Sequence, residues 1–424
     1  MEIPTPKLIS DPIHGMIDVR PVLPIVETRE FQALGYKSQL GVVPLVYAAA
    51  THTRKAHCIG AYHAAKMLCR RWLDWGMITP EEAVAVPVYA LIHDIGHYPL
   101  SHVTEALFPI SHDERGIGIV KKLKPQIEAC NVNFDLVLSL ADHSNPLYLA
   151  VHDKNLGAEK LDYLERDGRA TITDRPVGID YLREHIYWLG NCLAIDEKAV
   201  DSSKDCQDFY AKMFKNVYLR RGAVIGQRHL QKNVYLLLKS GEVNVTDLAE
   251  MYDFELFSRL RSSKDPKVKE MFEDFLHRNL FKEAVVIRYA DFVDTEHTAG
   301  KDKSVIGLDH HTMERIANSK NLSDYNQEAL LEIEAKIAMA VGLKPEDVLI
   351  VTIVSPDRFK TQDIQIVTGN GRLASLKDRY PGHFHDLAET AKSYTAFRVC
   401  AKQENRAKLS QKADLIKNII LESI

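Results

Sequence analysis

An apolar segment that runs straight into a histidine–aspartate pair constrains this chain more than any other feature. Residues 83–92 are almost entirely apolar, and His93 and Asp94 follow them directly. Thr79 precedes the segment with a proline and two glutamates behind it, which together are typical of a helix start: a capping hydroxyl, a proline in the first turn and acids near the positive end of the dipole. We therefore predict a helix, kinked at Pro87, that ends in an imidazole beside a carboxylate.

Helical periodicity continues through the first 290 residues and then gives way to a mixed pattern. The predicted helices are 52–75, 101–107, 112–123, 157–167, 179–189, 206–220, 226–238, 247–252 after a Thr246 cap, 323–341 with Ser323 as cap, and 403–421. Segments 348–354, 363–367 and 395–401 are rich in β-branched and aromatic residues and are predicted strands. We expect a mainly α protein, with a helical body over residues 1–290 and a smaller α+β region over 291–424.

Composition narrows the functional classes. The net charge is −4, from 54 basic and 58 acidic residues, so no global positive field is available to hold nucleic acid through its phosphates. The six cysteines form no CxxC pair, which argues against a disulfide framework or a structural zinc site. No run approaches the roughly 20 apolar residues of a membrane helix, and the amino terminus lacks a signal-peptide pattern. We expect a cytoplasmic protein without membrane contact.

Clustering of histidines and acids indicates a metal site. Imidazole nitrogen and carboxylate oxygen both bind first-row divalent ions, but one His–Asp dipeptide is weak evidence, because a structural hydrogen-bonded pair is the commoner outcome. Here four histidines and four acids fall within residues 92–114 of a chain that has 18 histidines. Beyond His93 and Asp94 they include His97, His102, Glu105 and His112.

Two further clusters lie on predicted helices. Arg54 and His57 are three residues apart, so a cation and a ligand can face one site. A charged stretch further along the chain repeats at four-residue spacing, at Glu159, Tyr163 and Asp167, with Lys160 beside the first of them. A solvent-exposed charged face is the simpler explanation for that stretch taken alone.

Taken in order, these clusters resemble the HD superfamily, and within it the deoxynucleoside triphosphate triphosphohydrolases (dNTPases), the group that includes the vertebrate SAM-and-HD-domain enzyme and bacterial relatives. The resemblance covers about residues 8–235 and is loose beyond 240. It rests on ISDPIHG (9–15), QLG (39–41), HTRKAHCIG (52–60), HDIGHYPLSH (93–102), SHDE (111–114) and EKLDYLERD (159–167).

The resemblance implies a divalent metal ion, of which manganese, magnesium, iron, cobalt and nickel are all open. His57, His93 and Asp94 match three of the family's four metal ligands. The fourth is normally an aspartate and falls on Glu159, a departure that is one methylene longer and can still coordinate. Asp162 is a weaker substitute for it.

The resemblance also implies roles for the remaining residues. The catalytic cluster beside the metal is His97, His102, Glu105 and His112. Substrate contacts fall on Arg54, Lys160 and Arg221 for the phosphates, and on Tyr163, Asp167, Gln39 and Leu40 near the sugar. If Arg221 is aligned correctly, His229 and Leu230 replace a sugar-packing tyrosine and a polar residue. These two departures put base and sugar recognition in doubt more than phosphate handling. His14 and His52 are predicted to be structural.

The expected activity is hydrolysis of a deoxynucleoside triphosphate to a deoxynucleoside and tripolyphosphate. The resemblance implies a nucleotide substrate and a homo-oligomer, allows for a nucleotide effector, and gives the C-terminal region to oligomerisation or regulation. Hydrolysis of another nucleotide or phosphate ester stays open, and so does a nucleotide-binding regulatory protein with little turnover, which Glu159 favours. The HD-GYP cyclic-dinucleotide phosphodiesterases fit less well, because this chain has HDIGH rather than HDIGK and lacks GYP.

Overall fold

The computed structural model describes residues 5–293, 302–353 and 362–424. As predicted, the protein is mainly α-helical, with a smaller C-terminal region that contains small mixed sheets. Up to residue 293 the α-helices are α1 (Leu23–Val26), α2 (Arg29–Ala33), α3 (Arg54–Asp74), α4 (Pro80–Ile92), α5 (His102–Glu105), α6 (His112–Lys122), α7 (Lys124–Ala129), α8 (Phe134–Ala141), α9 (Leu149–His152), α10 (Ala158–Thr171), α11 (Ile179–Glu184), α12 (Val200–Met213), α13 (Arg221–Lys239), α14 (Val245–Glu250), α15 (Asp253–Arg261) and α16 (Pro266–Leu276). After it come α17 (His310–Asn318), α18 (Gln327–Val341), α19 (Leu376–Arg379), α20 (Pro381–Tyr394), α21 (Arg406–Ser410) and α22 (Ala413–Glu422).

Within the described ranges the strands form three small sheets. The strands are β1 (Leu8–Asp11), β2 (Gly15–Asp18), β3 (Ile186–Leu189), β4 (Cys192–Asp196), β5 (Lys282–Tyr289), β6 (Ser304–Leu308), β7 (Val348–Val351), β8 (Gln365–Val367), β9 (Leu373–Ser375) and β10 (Phe397–Ala401). β1 and β2 pair alone, and the other two sheets have the orders β6-β5-β10-β7 and β3-β4-β8-β9. The neighbours β5 and β6, and β4 and β8, run parallel, and the remaining pairs are antiparallel.

Both larger sheets join segments from either side of residue 290. β5 comes before that position and pairs with β6 and β10, which come after it. β8 adds to the earlier strand β4. The division into domains 1–290 and 291–424 therefore stays a prediction, and strand pairing links the two regions. Among the described helices, none combines the length and the apolar composition that crossing a bilayer requires.

The helix that carries the His–Asp pair forms as its sequence predicts. Thr79 accepts a hydrogen bond from the backbone of Glu82, whose side chain accepts one from the backbone of Thr79. The helix α4 then runs to Ile92 with Pro87 inside it, and its last eight residues are buried. It packs against α3, which also packs against α10. These three helices share one apolar core, and this core holds the first metal-binding candidates in place.

One predicted helix is wrong over its second half. Residues 179–189 divide into the short helix α11 and the strand β3, which forms a hairpin with β4. Gly190 and Asn191 both have positive φ, 56° and 64°, as a tight hairpin turn requires. Short runs of apolar and aromatic residues are ambiguous between helix and strand, and here pairing with β4 decides in favour of the strand.

Helix ends were less predictable than helix centres. Asn244, not Thr246, caps α14 by accepting from the backbone of Asp247. Asn326, not Ser323, caps α18. The predicted C-terminal helix 403–421 is interrupted between α21 and α22. Several residues with capping side chains stand close together at these starts, so the packing of the helix selects among them.

Candidate metal centre and active site

His57, His93 and Asp94 come together as the sequence predicts. Their ligand atoms all lie within 4.8 Å of one another, and the three residues are buried. His57 projects from the first turn of α3, and His93 is the residue at which α4 ends. His57 Nε2 lies 3.9 Å from Asp94 Oδ2, and His93 Nε2 lies 3.5 Å from Asp94 Oδ1. Two imidazoles and a carboxylate make a donor set that suits a first-row divalent ion.

The other nitrogen of each imidazole is already occupied. His57 Nδ1 lies 2.7 Å from Asp162 Oδ2, and His93 Nδ1 lies 2.7 Å from the carbonyl oxygen of Ala90. A carboxylate and a carbonyl accept hydrogen bonds, so both Nδ1 atoms donate and each Nε2 keeps its lone pair. His93 Nε2 is buried and has no hydrogen-bond partner among the described residues. Histidines that bind metals are held in this way, and the residues present fit a metal ion.

Asp162 supports the metal group by holding His57, whereas the sequence predicted it only as a weaker substitute for the fourth ligand. Its carboxylate is fully buried and accepts from His14, His57 and Arg166. A Cβ on Gly60 would lie 2.0 Å from Asp162 Oδ1, so the glycine of the HTRKAHCIG motif makes room for this carboxylate. The four-residue spacing of Asp162 and Arg166 on α10 was a usable signal for the ion pair.

Glu159 lies one turn before Asp162 and has a different partner. Its Oε2 is 2.6 Å from His152 Nδ1, and it is not part of the group formed by His57, His93 and Asp94. Burial would raise the pKa of Glu159, but the His152 imidazole lowers it to about 2. The carboxylate is therefore ionised and close to the centre, while its role as fourth ligand stays a prediction. His152 was not among the residues that the sequence indicated.

The predicted catalytic cluster assembles around Glu105. Its Oε2 lies 2.8 Å from His102 Nδ1, and its Oε1 accepts from His112 Nδ1. The ring of His112 stacks on that of His97, with centroids 3.8 Å apart. A Cβ on Gly96 would lie 1.9 Å from the carbonyl oxygen of His112. Gly96 thus permits the close backbone approach that sets these two imidazoles together.

Arg54 links Asp94 of the metal group to Ser101, in the loop that leads to His102. Its guanidinium pairs with Asp94, and its Nε donates to Ser101 Oγ at 2.8 Å. Leu100 and Ser101 have φ of 58° and 55°, a left-handed conformation that non-glycine residues seldom adopt. Asp253 supports that loop by accepting from the backbone of Leu100 at 2.7 Å. A strained loop of this kind recurs at functional sites, where the surrounding structure holds it in place.

The surroundings shift the pKa values of the two stacked imidazoles in opposite directions. Burial, together with Arg54, holds the pKa of His97 well below its usual value. Burial also lowers the pKa of His112, but its hydrogen bond to Glu105 and the nearby acids raise the pKa overall. Burial would raise the pKa of Asp94, yet Arg54 and the neighbouring imidazoles hold it well below its usual range. His112 is therefore the more basic of these two histidines, and the ligand carboxylate is ionised.

Two of the residues predicted to lie near the sugar, Leu40 and Tyr163, belong to a hydrophobic cluster next to the metal group. Leu40 and Tyr163 belong to one hydrophobic cluster together with Tyr210 and Tyr218. The ring of Tyr163 lies 6.2 Å from that of His57, between centroids, which connects the cluster to the metal group. The backbone N–H of Gln39 donates to the carbonyl of His52, and the Gln39 Oε1 atom is buried without a hydrogen-bond partner among the described residues.

Asp167 and Lys160 have partners within the protein. Asp167 accepts from Tyr218 Oη at 2.6 Å and from His52 Nε2 at 2.8 Å, so His52 has a structural contact of the predicted kind. The Lys160 ammonium lies over the ring of Tyr210, and burial holds the pKa of Lys160 well below its usual value.

Arg221 lies in a cavity separate from the metal and histidine groups, and its predicted role stays a prediction. Its side chain is exposed, with Nη1 3.8 Å from Glu283 Oε2. It lines a cavity of about 290 Å³ that also contains Arg220, Arg278, Lys282 and Arg406, and no member of the metal or histidine groups lines that cavity. Its predicted contact with substrate phosphate receives no support from this position. The expected nucleotide effector and homo-oligomer stay predictions.

His229 and Leu230 are core residues. His229 is fully buried, donates from Nε2 to the carbonyl oxygen of Met271 at 2.8 Å, and packs against Phe275 and Phe281. Leu230 belongs to the same hydrophobic cluster. Both residues are therefore occupied in packing, and the sugar contacts predicted at Tyr163 and Asp167 stay predictions.

Two protein-family models match this chain, and the residues of the metal group and of the Glu105 cluster lie within the first match. The HD domain model matches residues 54–173, which contain the metal group, the Glu105 cluster and the whole of α10. The model of the HD associated region matches residues 179–309.

Several proteins are similar to this chain. An uncharacterised protein of Methanocaldococcus jannaschii is 24% identical over 383 residues, covering 88% of this chain and 81% of that protein. The deoxynucleoside triphosphate triphosphohydrolase SAMHD1 homolog of Dictyostelium discoideum is 23% identical over 65% of this chain and 59% of its own length. SAMHD1 of Gallus gallus is 37% identical, but over only 24% of this chain and 17% of the chicken protein.

Solved structures show the same fold. A phosphohydrolase from Bacteroides thetaiotaomicron superposes with a TM-score of 0.71 and 20% identity, over 94% of this chain and all of that one. A hypothetical protein from Aquifex aeolicus gives the same TM-score with 21% identity, over 96% of this chain. The two family models thus identify an HD domain over residues 54–173 followed by an HD associated region over residues 179–309, in a chain that resembles the HD-superfamily dNTPases.

Proposed function

We propose that this protein is a metal-dependent phosphohydrolase that converts deoxynucleoside triphosphates into deoxynucleosides and tripolyphosphate. The observation that carries the proposal is the juxtaposition of two groups: a buried His57–His93–Asp94 set that fits a divalent ion, and a Glu105-held histidine pair linked to it through His97. Similarity to proteins named as dNTPases supports the substrate class.

The metal would be held by His57, His93 and Asp94. When bound, a divalent ion polarises a phosphoryl oxygen and lowers the pKa of coordinated water. Arg54 would add positive charge beside the α-phosphate as negative charge develops in the transition state. Its guanidinium is already oriented by Asp94 and Ser101, so little rearrangement is required when substrate binds.

Proton transfer falls to the Glu105 cluster. In the reaction, a water oxygen bonds to the α-phosphorus, the bond from that phosphorus to the 5′ oxygen breaks, and the 5′ oxygen takes up a proton. Glu105 holds Nδ1 of both His102 and His112, so each would transfer the proton through Nε2, which in His112 also lies 3.2 Å from Asp113 Oδ1. An imidazole whose pKa lies close to neutrality can accept or donate that proton at physiological pH.

Product analysis by chromatography tests the proposal. We expect purified protein, incubated with the four dNTPs singly and mixed and with manganese, magnesium, iron or cobalt, to release deoxynucleoside and tripolyphosphate in equal amounts. Cleavage at the α-phosphorus is the reason for that stoichiometry. Release of inorganic phosphate or pyrophosphate would instead indicate a different phosphate-ester hydrolase.

The control is the double variant His93→Ala, Asp94→Ala, which removes two metal-binding side chains. Products that persist in this variant would come from a contaminating enzyme. Absence of turnover with any dNTP and metal, alone or in mixtures, would contradict the dNTPase proposal. Nucleotide binding without products would then favour the regulatory-protein alternative.

Glu159→Gln tests whether this carboxylate is a ligand or a supporting residue. Because its oxygen pairs with His152, we expect the variant to keep the metal with an affinity lowered about 10–100-fold, as is usual when a supporting partner is lost. Metal titration followed by elemental analysis measures this. Loss of metal as complete as in His93→Ala would instead make Glu159 the fourth ligand.

A further inference from the structure

His97, His102 and His112 form a second group of possible ligand atoms. One ring nitrogen of each lies within 4.8 Å of the others. This group and the one at His57, His93 and Asp94 are the two such sets found in the part of the chain that the structure describes. The ring centroids of His97 and His102 are 5.0 Å apart, and those of His102 and His112 are 5.5 Å apart.

Each of the three imidazoles has one nitrogen next to a carboxylate. Glu105 holds Nδ1 of both His102 and His112, and His97 Nε2 lies 3.2 Å from Asp94 Oδ1. A histidine that binds a metal almost always donates its other N–H to a carboxylate, a carbonyl or water. The same arrangement thus recurs three times, and the second nitrogen is Nδ1 in His97 and Nε2 in the other two.

Three features of the surroundings of this group favour an ion. His97 Nδ1 is buried and has no hydrogen-bond partner among the described residues, and an unsatisfied buried polar atom is unfavourable. Asp113 Oδ1, on the same helix as His112, lies 3.2 Å from His112 Nε2 and is exposed, so it borders the open side of the group. His102 is 60% exposed, which gives an ion a route from solvent.

We infer that His97, His102 and His112 bind a second divalent transition-metal ion, beside the one predicted at His57, His93 and Asp94. Three neutral imidazoles suit zinc, copper, iron or nickel rather than magnesium. Asp94 connects the two sites, because it belongs to the first group and contacts His97 in the second. This inference concerns metal binding and holds whichever phosphate ester is hydrolysed.

Occupation of this second site has a consequence for the proposed reaction. A metal on Nε2 of His102 and His112 would take away the nitrogens that the proposed function uses for proton transfer. We therefore expect the second ion to inhibit hydrolysis, so that activity rises with the first equivalent of zinc or cobalt and falls with the second. This part alone rests on the proposed function.

Metal counting on the unaltered protein of 424 residues, freed of metal by dialysis, tests the site. We expect cobalt titration, followed by visible absorption and by elemental analysis, to show two equivalents per chain. His102→Ala should bind one, and His57→Ala should also bind one. His277→Ala is the matched control, an exposed histidine outside both groups, and it should keep two.

One equivalent in the unaltered protein, with no change in His102→Ala, would overturn the second site. Two equivalents that persist in His102→Ala would overturn it as well, because the second ion would then lie elsewhere. His102 is exposed, so its replacement should leave the fold unchanged, as circular dichroism would verify. Failure of the proposed function would show as absence of products and would leave these metal counts unaltered.

Discussion

Replacement of Asp94 by asparagine should abolish hydrolysis and empty the first metal site. This carboxylate pairs with Arg54, lies 3.5 Å from His93 Nε2 and 3.2 Å from His97 Nε2. Asparagine keeps the shape and removes the negative charge that would balance the ion. A bound metal supplies several kcal/mol of transition-state stabilisation, so we expect turnover to fall by at least about 10³-fold, at 1.36 kcal/mol for each factor of ten.

Elemental analysis and turnover, measured on the same preparation, check this prediction. Asp74→Asn is the matched control, since Asp74 is an exposed carboxylate at the far end of α3, and it should behave as the unaltered protein. A thermal melt by circular dichroism establishes that Asp94→Asn is folded. A folded Asp94→Asn protein that retains metal and turns over substrate at the normal rate would refute the assignment of Asp94.

Asp162→Asn should produce the largest loss of stability. The carboxylate is fully buried and accepts hydrogen bonds from His14, from His57 and twice from Arg166. Removing one partner of a buried ion pair leaves an uncompensated charge and costs about 3–5 kcal/mol. Urea denaturation followed by tryptophan fluorescence should show a corresponding decrease in the free energy of unfolding. Glu184→Gln, at an exposed pair with Arg71, should change it by less than about 1 kcal/mol.

The pH dependence of that loss has a definite sign. Burial would raise the pKa of Asp162, but Arg166, His14 and His57 hold it well below its usual value. A depressed pKa contributes stability above the carboxyl's unfolded value of about 3.9, and this contribution is lost as the pH falls towards the folded-state pKa. The difference between the unaltered protein and Asp162→Asn should be full at pH 6–7 and smaller below pH 4. A difference that does not vary with pH would mean that Asp162 is not ionised in the folded protein.

Much of the helical body could be predicted because its signals are local. The start of α4 depends on Thr79, on the proline that follows and on Glu82, all within one turn, and the apolar run after them requires a buried helix. The strand β3 could not be predicted in the same way. Ile186–Leu189 reads equally well as the end of a helix, and only the pairing with β4 decides its conformation.

In the metal and catalytic groups, too, some contacts follow from local sequence and others only from the fold. His93 and Asp94 are adjacent, and Arg54 and His57 are three residues apart on one helix, so their convergence needed only the packing of α3 against α4. The contact of Glu105 with both His102 and His112 also depends on the close approach of the His112 backbone to Gly96. A sequence contains that glycine but does not show which backbone it approaches.

The sequence by itself determined that this is a helical protein with a His–Asp centre, because capping, apolar periodicity and the types of metal-binding residue act over a few neighbours. Only the tertiary structure decided which carboxylate of α10 holds His57. Glu159 and Asp162 are three positions apart, about 60° around a helix, so either could face inward until the packing of α10 on α3 sets the rotation. Likewise, Tyr218 reaches Asp167 while Arg221 points into another cavity, since the direction of each side chain depends on where the end of α12 meets α13.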